Sequence, residues 1–438
     1  MSGFLGVFER FIMPISAKIG GMRHLVVIRD SFSSVMPLIL VGSIAVLLNN
    51  IWDAFDKILG TNMKGYLTEN FSFFFALNGT IWWGTFAVFS LFMVVSVAYR
   101  LAKSYGQDGL SASLVALGAF IVNIPQTRTI NNGDSWGFIP VSDLGVTSLF
   151  SVLIISIIAV ELFVKFINLN WTIKMPDSVP DAVSRAFVAM IPAGLTLYLF
   201  GIIAVLLNRN PVAIGGIEVN NLILLINSLI QVPFMHLGQS FFTIMVVTLL
   251  IPLFWFTGIH GANIMGPVIN TIYVPALLEN TNAMQQGLEL PNIWTSVSWD
   301  IYVNFGGVGA TLSLLFAIYL ASKLQEYKAV AKIGLAPGLF MINEPVMFGL
   351  PIVLNPIFFI PFVLNPLLLT SISYFATFLG LVPPASVLIP WTTPPVIGAF
   401  LATNGSLSAT LLALFNLVLS VIVYLPFVYL SNNSAKKV

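Results

Sequence analysis

Residues 338–356, "GLFMINEPVMFGLPIVLNP", decide how the rest of the chain is read. The stretch is apolar, broken by proline and glycine, and holds a carboxylate, Glu344, between Asn343 and Pro345. Between Lys332 and Lys436, Glu344 is the one ionised side chain. A charge at the centre of a bilayer costs at least roughly 2.5–3.5 kcal/mol, so it is kept where it has a partner or a task. Helices broken at that depth free backbone groups, which only protein or a water-filled cavity can satisfy. Glu344 therefore reads as functional. The competing reading is a surface loop with the carboxylate in water.

The composition sets the same frame. Of 438 residues, 58% are hydrophobic and 8% charged, with a mean hydropathy of +0.96. A soluble domain carries about 25% charge, so this is an all-α polytopic membrane protein whose spans need roughly 20 apolar residues each. The short alternating segments of a β-barrel are missing. The net charge of +1 says nothing about nucleic acid, and no basic cluster of the kind that such binding needs is present, so no nucleic-acid partner is expected. The amphipathic start, "MSGFLGVFERFIMPISAKIGGMRH", lacks a cleavable signal pattern. With no cysteine there is no disulfide or thiolate chemistry, and three scattered histidines argue against a metal site, so no cofactor is expected.

Spans are expected near 31–51, 82–101, 110–125, 143–166, 184–207, 239–257, 303–322, 357–381 and 408–430, with one or two more from 334–356 or 384–403. The stretch 220–235 is apolar but short and reads as interfacial. Basic residues cluster before the first span, after the second, around the loop after the fourth, at 323–332 and at the end. By the positive-inside rule both termini are cytoplasmic and the crossings number about ten. Residues 1–207 read as one half of regular spans and 208–438 as a second, rich in breakers. Broken helices of this kind mark transporter substrate sites, because half-helix ends present free N–H and C=O groups.

Candidate site residues follow from polarity in apolar surroundings. His260 sits in "GIHGAN", where glycines permit close backbone approach and an imidazole titrates near neutral pH. It also suits a plain structural hydrogen bond. Trp255 and Trp391 offer aromatic slabs for the C–H face of a sugar, against the alternative of an interfacial aromatic belt. Asn343 and Asn263 carry amides that need partners. Asn355 and Asn365 read as helix caps before proline, Glu161 as a partner of Lys165, and Glu279, Glu289 and Asp300 as members of a polar loop. No phosphate-binding glycine loop appears.

"GIHGANIMGPVI" followed by "INEPVMFGLPIVLNP", with "RHLVVIRDSF" near the start, resembles the IIC component of bacterial phosphoenolpyruvate-dependent phosphotransferase systems, lactose/cellobiose/diacetylchitobiose branch. The resemblance covers essentially the whole chain. It implies ten transmembrane helices plus two re-entrant hairpins near 258–277 and 334–356. It also implies a homodimer in the bacterial cytoplasmic membrane, formed through the N-terminal half, with a sugar-holding C-terminal half that moves. His260 and Glu344 would lie beside the C6 hydroxyl of a disaccharide, phosphorylated by a IIB protein that IIA recharges. Lacking cysteine, this chain holds no Cys-type IIB domain, so a separate IIB is expected; that leans the sugar toward cellobiose, then diacetylchitobiose or lactose. A proton-coupled sugar symporter, with His260 and Glu344 as its relay, is the rival reading.

Overall fold

The structure is a computed structural model that describes residues 22–130, 133–176, 178–214, 217–256, 261–350, 352 and 356–434. Among them, six helices are long and apolar enough to cross a membrane: Arg23–Asp53, Ser72–Ser104, Leu149–Asn168, Val183–Arg209, Ile357–Phe378 and Leu407–Asn432. The bent pair Leu222–Gly238 and Phe241–Phe256 adds a seventh if it forms one span. Two apolar helices are shorter, Gly109–Val122 and Thr311–Ala321. The architecture is that of an all-α membrane protein, with two small antiparallel strand pairs, 127–130 with 133–136 and 212–214 with 217–219, that the sequence did not announce.

Two compact units emerge. The first holds the described residues up to Ile39 and Trp83–His236; the second holds Leu40–Trp82 and the described residues from Leu237 on. These units do not follow the sequence division at 207/208.

In the first unit, helices 89–104, 109–122 and 149–168 pack together through small residues. Ala98, Ala102, Ala116, Ala119 and Ala159 are fully buried. Small side chains bring helix backbones close where lipid gives no hydrophobic drive to associate. Ser113 Oγ donates across this contact to Val95 O at 3.1 Å. Helix 109–122 starts cleanly because Asp108 Oδ2 accepts from Ser111 N–H at 2.9 Å. Glu161 pairs with His24 at 2.8 Å and accepts from the Tyr105 hydroxyl. The Lys165 partner expected for it is replaced by groups that reach it from other helices.

The second unit packs helix 241–256 on 356–378, and 311–321 on both 407–434 and 325–339. Its aromatic core includes Trp294, Tyr273, Tyr302, Phe305 and Phe362. Trp299 meets Tyr273 edge-on at 4.7 Å and donates its indole N–H to Thr248 at 2.7 Å. Asn365, expected as a cap, instead lies inside helix 356–378 and donates to Ser420 Oγ at 2.6 Å. Asn355 lies outside the described residues. The span expected at 303–322 shrinks to 311–321, because 304–310 form a glycine turn.

Two helices contain π turns, Asn227–Gln231 and Ile269–Tyr273. Each ends two residues before a proline, Pro233 and Pro275. Proline lacks the N–H that would bond four residues back and crowds that carbonyl; a local widening of the helix absorbs the misfit. The first π turn falls in the stretch read as interfacial, which is helical over Leu222–Gly238.

Candidate functional site

Residues 325–349 form a helical hairpin. Helix 325–339 closes with Ile342 N–H donating to Pro337 O at 3.0 Å and Met341 N–H to Gly338 O at 3.1 Å. That pair of bonds requires a left-handed residue at 341, a place glycine usually takes. Met341 adopts it with φ 67°, which costs a residue with a Cβ roughly 1 kcal/mol or more. The reversal brings Asn343 to the start of helix 344–349, where its carbonyl accepts from Val346 and Met347 N–H, each at 2.9 Å. Glu344 is the first residue of that helix and Pro345 follows it. Proline suits the first turn, where its missing N–H would have had no helical partner, and a carboxylate is favoured there by the helix dipole. The structure describes the Glu344 backbone and not its side chain. The two arms touch where Gly334 faces Val346: a Cβ on Gly334 would sit 2.9 Å from Val346 Cγ2.

A glycine turn, 304–310, backs the tip of this hairpin. Asn343 is 4% exposed, and its Nδ2 donates to Val308 O at 3.3 Å. Gly307 has φ +107°, and a Cβ there would lie 2.7 Å from Asn343 Cγ. Gly306 N–H points at Met341 Sδ, 3.4 Å away. Surrounding helices fix the turn. Thr311 Oγ1 donates to Gly306 O at 2.8 Å and the Tyr424 hydroxyl donates to Gly309 O. Asn416 Nδ2 reaches Tyr302 O at 3.0 Å and Ser373 Oγ at 2.8 Å.

Just ahead of the turn lies Asp300, which the sequence reading left in a polar loop. It sits in the short helix 298–302. Burial raises its carboxyl pKa to about 7, against a smaller lowering by its bond to Asn304. The carboxyl is packed round with protein while part of the residue still reaches the surface. Near neutral pH it can donate or accept a hydrogen bond. The signal that could have found this turn is the run "NFGGVGAT", whose glycines are too many for a helix start.

Helices 241–256 and 261–268 pack against each other. Gly261 lies so close to Ile251 O that a Cβ has no room. Trp255 is in the last turn of helix 241–256, 6% exposed. Asn263 is in the first turn of helix 261–268, where the structure describes its backbone and not its side chain. His260 belongs to 257–260, also outside the described residues. Trp391 stands apart from Trp255 in character: it is 57% exposed, in a turn closed by Thr393 N–H donating to Pro390 O at 2.9 Å. Among the described residues, no group of three or more His, Asp or Glu could hold a metal ion.

Comparison with known proteins gives this geometry its setting. Residues 29–366 match the family model described as phosphotransferase system, EIIC. A cellobiose-specific EIIC component of Lactococcus lactis is 34% identical, the match covering 99% of this chain and 98% of that protein. One from Geobacillus stearothermophilus is 36% identical over 98% and 94%. The crystal structure of ChbC, the IIC component of an N,N'-diacetylchitobiose-specific phosphotransferase system, superposes with a TM-score of 0.86 at 32% identity, covering 98% of each chain. The chain belongs to the phosphotransferase-system EIIC family: it is a sugar-specific permease component, multi-pass in a bacterial membrane, that works with IIA and IIB proteins.

Proposed function

We propose that this permease imports a β-linked disaccharide, cellobiose first and diacetylchitobiose or lactose next, and presents its C6 hydroxyl to the phosphocysteine of a separate IIB protein. The observation that carries the reading is the tip of hairpin 325–349, where Asn343 is clamped by the 304–310 turn and Glu344 opens a helix. Relatives named for cellobiose favour that sugar.

In this reading residues 208–438 carry the sugar and residues 1–207 are the scaffold through which two copies pair. About ten spans and two re-entrant hairpins lie in the cytoplasmic membrane, with both termini inside. Trp391, exposed, is the slab on which a sugar ring stacks. Trp255, buried, shapes the wall behind it. Asn343, Asn263 and His260 take sugar hydroxyls. Glu344 accepts the C6–OH proton as that oxygen attacks phosphorus. The phosphorus–sulfur bond breaks and the cysteine thiolate leaves on IIB. General-base help of this kind is worth about 10²–10⁴-fold; positioning and charge stabilisation supply most of the rest. The product is anionic and leaves the apolar site on the inner side.

The test uses inside-out vesicles with phosphoenolpyruvate, the general phosphotransferase proteins and cognate IIA and IIB. Cellobiose, diacetylchitobiose and lactose are supplied in turn. The reading expects cellobiose 6-phosphate in the presence of an uncoupler. Uncoupler-sensitive accumulation of free sugar in right-side-out vesicles, with no sugar phosphate, would overturn it.

A further inference from the structure

The first unit carries a polar recess that the sugar chemistry does not use. At one end of the unit, where helices 109–122 and 183–209 finish, a cavity of about 530 Å³ is lined by Asn123, Gln126, Asn208, Arg209, Asn220 and Asn221. No acidic side chain lines it, and among the described residues Arg209 has no ion pair. Asn123 is 1% exposed. Its Nδ2 is satisfied by Ala119 O at 2.7 Å, but its Oδ1 is buried with no partner. A buried acceptor without a donor costs roughly 1–3 kcal/mol. Asn221 is already engaged, accepting from Leu224 N–H at 2.9 Å and donating to Asn220 at 3.0 Å.

The recess opens directly into an apolar groove. A second cavity of about 510 Å³ runs along helix 183–209 between Leu197, Ile202 and Leu206, and shares Val122, Gly201 and Val205 with the first. Gly201 keeps the groove open; the nearest atom to a Cβ there would be Val122 Cγ1 at 3.9 Å. From Leu197 to Arg209 is roughly 18 Å at the helical rise, close to half the ~30 Å hydrocarbon core.

We propose that recess and groove form a binding site for one glycerophospholipid with an anionic, hydroxyl-bearing headgroup. Arg209 takes the phosphodiester, the Asn123 oxygen accepts from a headgroup hydroxyl, and an acyl chain lies in the groove one leaflet deep. The lone cation selects an anion, and the orphaned acceptor selects a donor that a choline headgroup lacks.

Native mass spectrometry of the purified full chain, titrated with phosphatidylglycerol, phosphatidylcholine or inorganic phosphate, tests this. The expected result is retention of one phosphatidylglycerol per chain over phosphatidylcholine. Arg209→Gln should lower its occupancy about fivefold, the size of one cation's attraction for an anionic lipid. Gly201→Leu should abolish it by filling the groove, while Lys174→Gln, a cation elsewhere, changes nothing. Equal retention of both lipids, or a phosphate adduct in place of lipid, would overturn the proposal. So would a Gly201→Leu chain that keeps its lipid but loses a protein partner, which would make the groove a contact between copies. Arg209 is exposed, so the Arg209→Gln arm stands even if Gly201→Leu fails to fold.

Discussion

Helix 183–209 and hairpin 325–349 solve one problem in opposite ways. Each holds an apolar stretch whose backbone needs hydrogen bonds. Helix 183–209 runs through Pro192 without a break, and few of its residues are buried. The hairpin breaks after Leu339, bends through a left-handed Met341 and restarts at Glu344. Its loose backbone groups are paired inside the turn, and its polar side chain, Asn343, is held by a neighbouring loop. Regular backbone can face lipid because it satisfies itself; irregular backbone needs protein around it. The proposed chemistry lies where protein supplies that surround.

The contrast can be broken by substitution. The largest effect on stability is expected from Trp255→Ala, about 3–5 kcal/mol for deleting a buried indole. Trp391→Ala, at an exposed residue, should stay within about 0.5 kcal/mol while weakening sugar affinity. Unfolding in detergent and calorimetric sugar titration measure the two; equal losses of stability would erase the division between a packing and a binding tryptophan.

Gly307→Ala should cost about 1–3 kcal/mol, because a φ of +107° strains any residue with a Cβ. The same Cβ displaces Asn343, so sugar phosphorylation should fall along with stability. A variant with wild-type activity would mean that the turn does not hold the hairpin tip.

A pH dependence sharpens the comparison further. Asp300 has a carboxyl pKa raised to about 7 by burial, so the folded chain keeps a proton that the unfolded chain releases near pH 4. Its contribution is fully present below the unfolded pKa and is lost as pH rises through about 7. Asp300→Asn should flatten that slope; an unchanged profile would put Asp300 in water.

In the regular region a lost cap should cost less than the strained glycine of the turn. Asp108→Ala removes the cap on helix 109–122 and should cost about 1 kcal/mol. The Ser111 hydroxyl and N–H hold the Asp108 carboxyl below its usual range, so the wild-type benefit is present above the unfolded pKa and fades as pH falls through the lowered one. A capping variant as costly as Gly307→Ala would undo the ranking of the two regions.

Much of the fold was legible because composition and periodicity are local. The six long helices lie where hydropathy places spans, and in the stretches flagged for their breakers short helices, 261–268 and 344–349, pack on the helices before them. What was not legible depends on distant partners. Glu161 chose His24 and Tyr105 over a lysine one turn away, and Asn365 chose Ser420 over a capping role. The 304–310 turn was read as part of a span because its neighbours are apolar; its packing on the hairpin tip becomes visible only once Asn343 is seen against Val308. The pairing of Asn343 with Glu344 in sequence pointed to the hairpin tip, yet nothing in the sequence linked Gly307 to it.

The central claim is that the hairpin tip carries the chemistry, and Glu344→Gln tests it most directly. Cellobiose binding and IIB-dependent sugar phosphorylation are measured on the same preparation. The account predicts sugar affinity within a few-fold of wild type and a phosphorylation rate lower by about 10²-fold or more. A Glu344→Gln protein that phosphorylates cellobiose at the wild-type rate would contradict it.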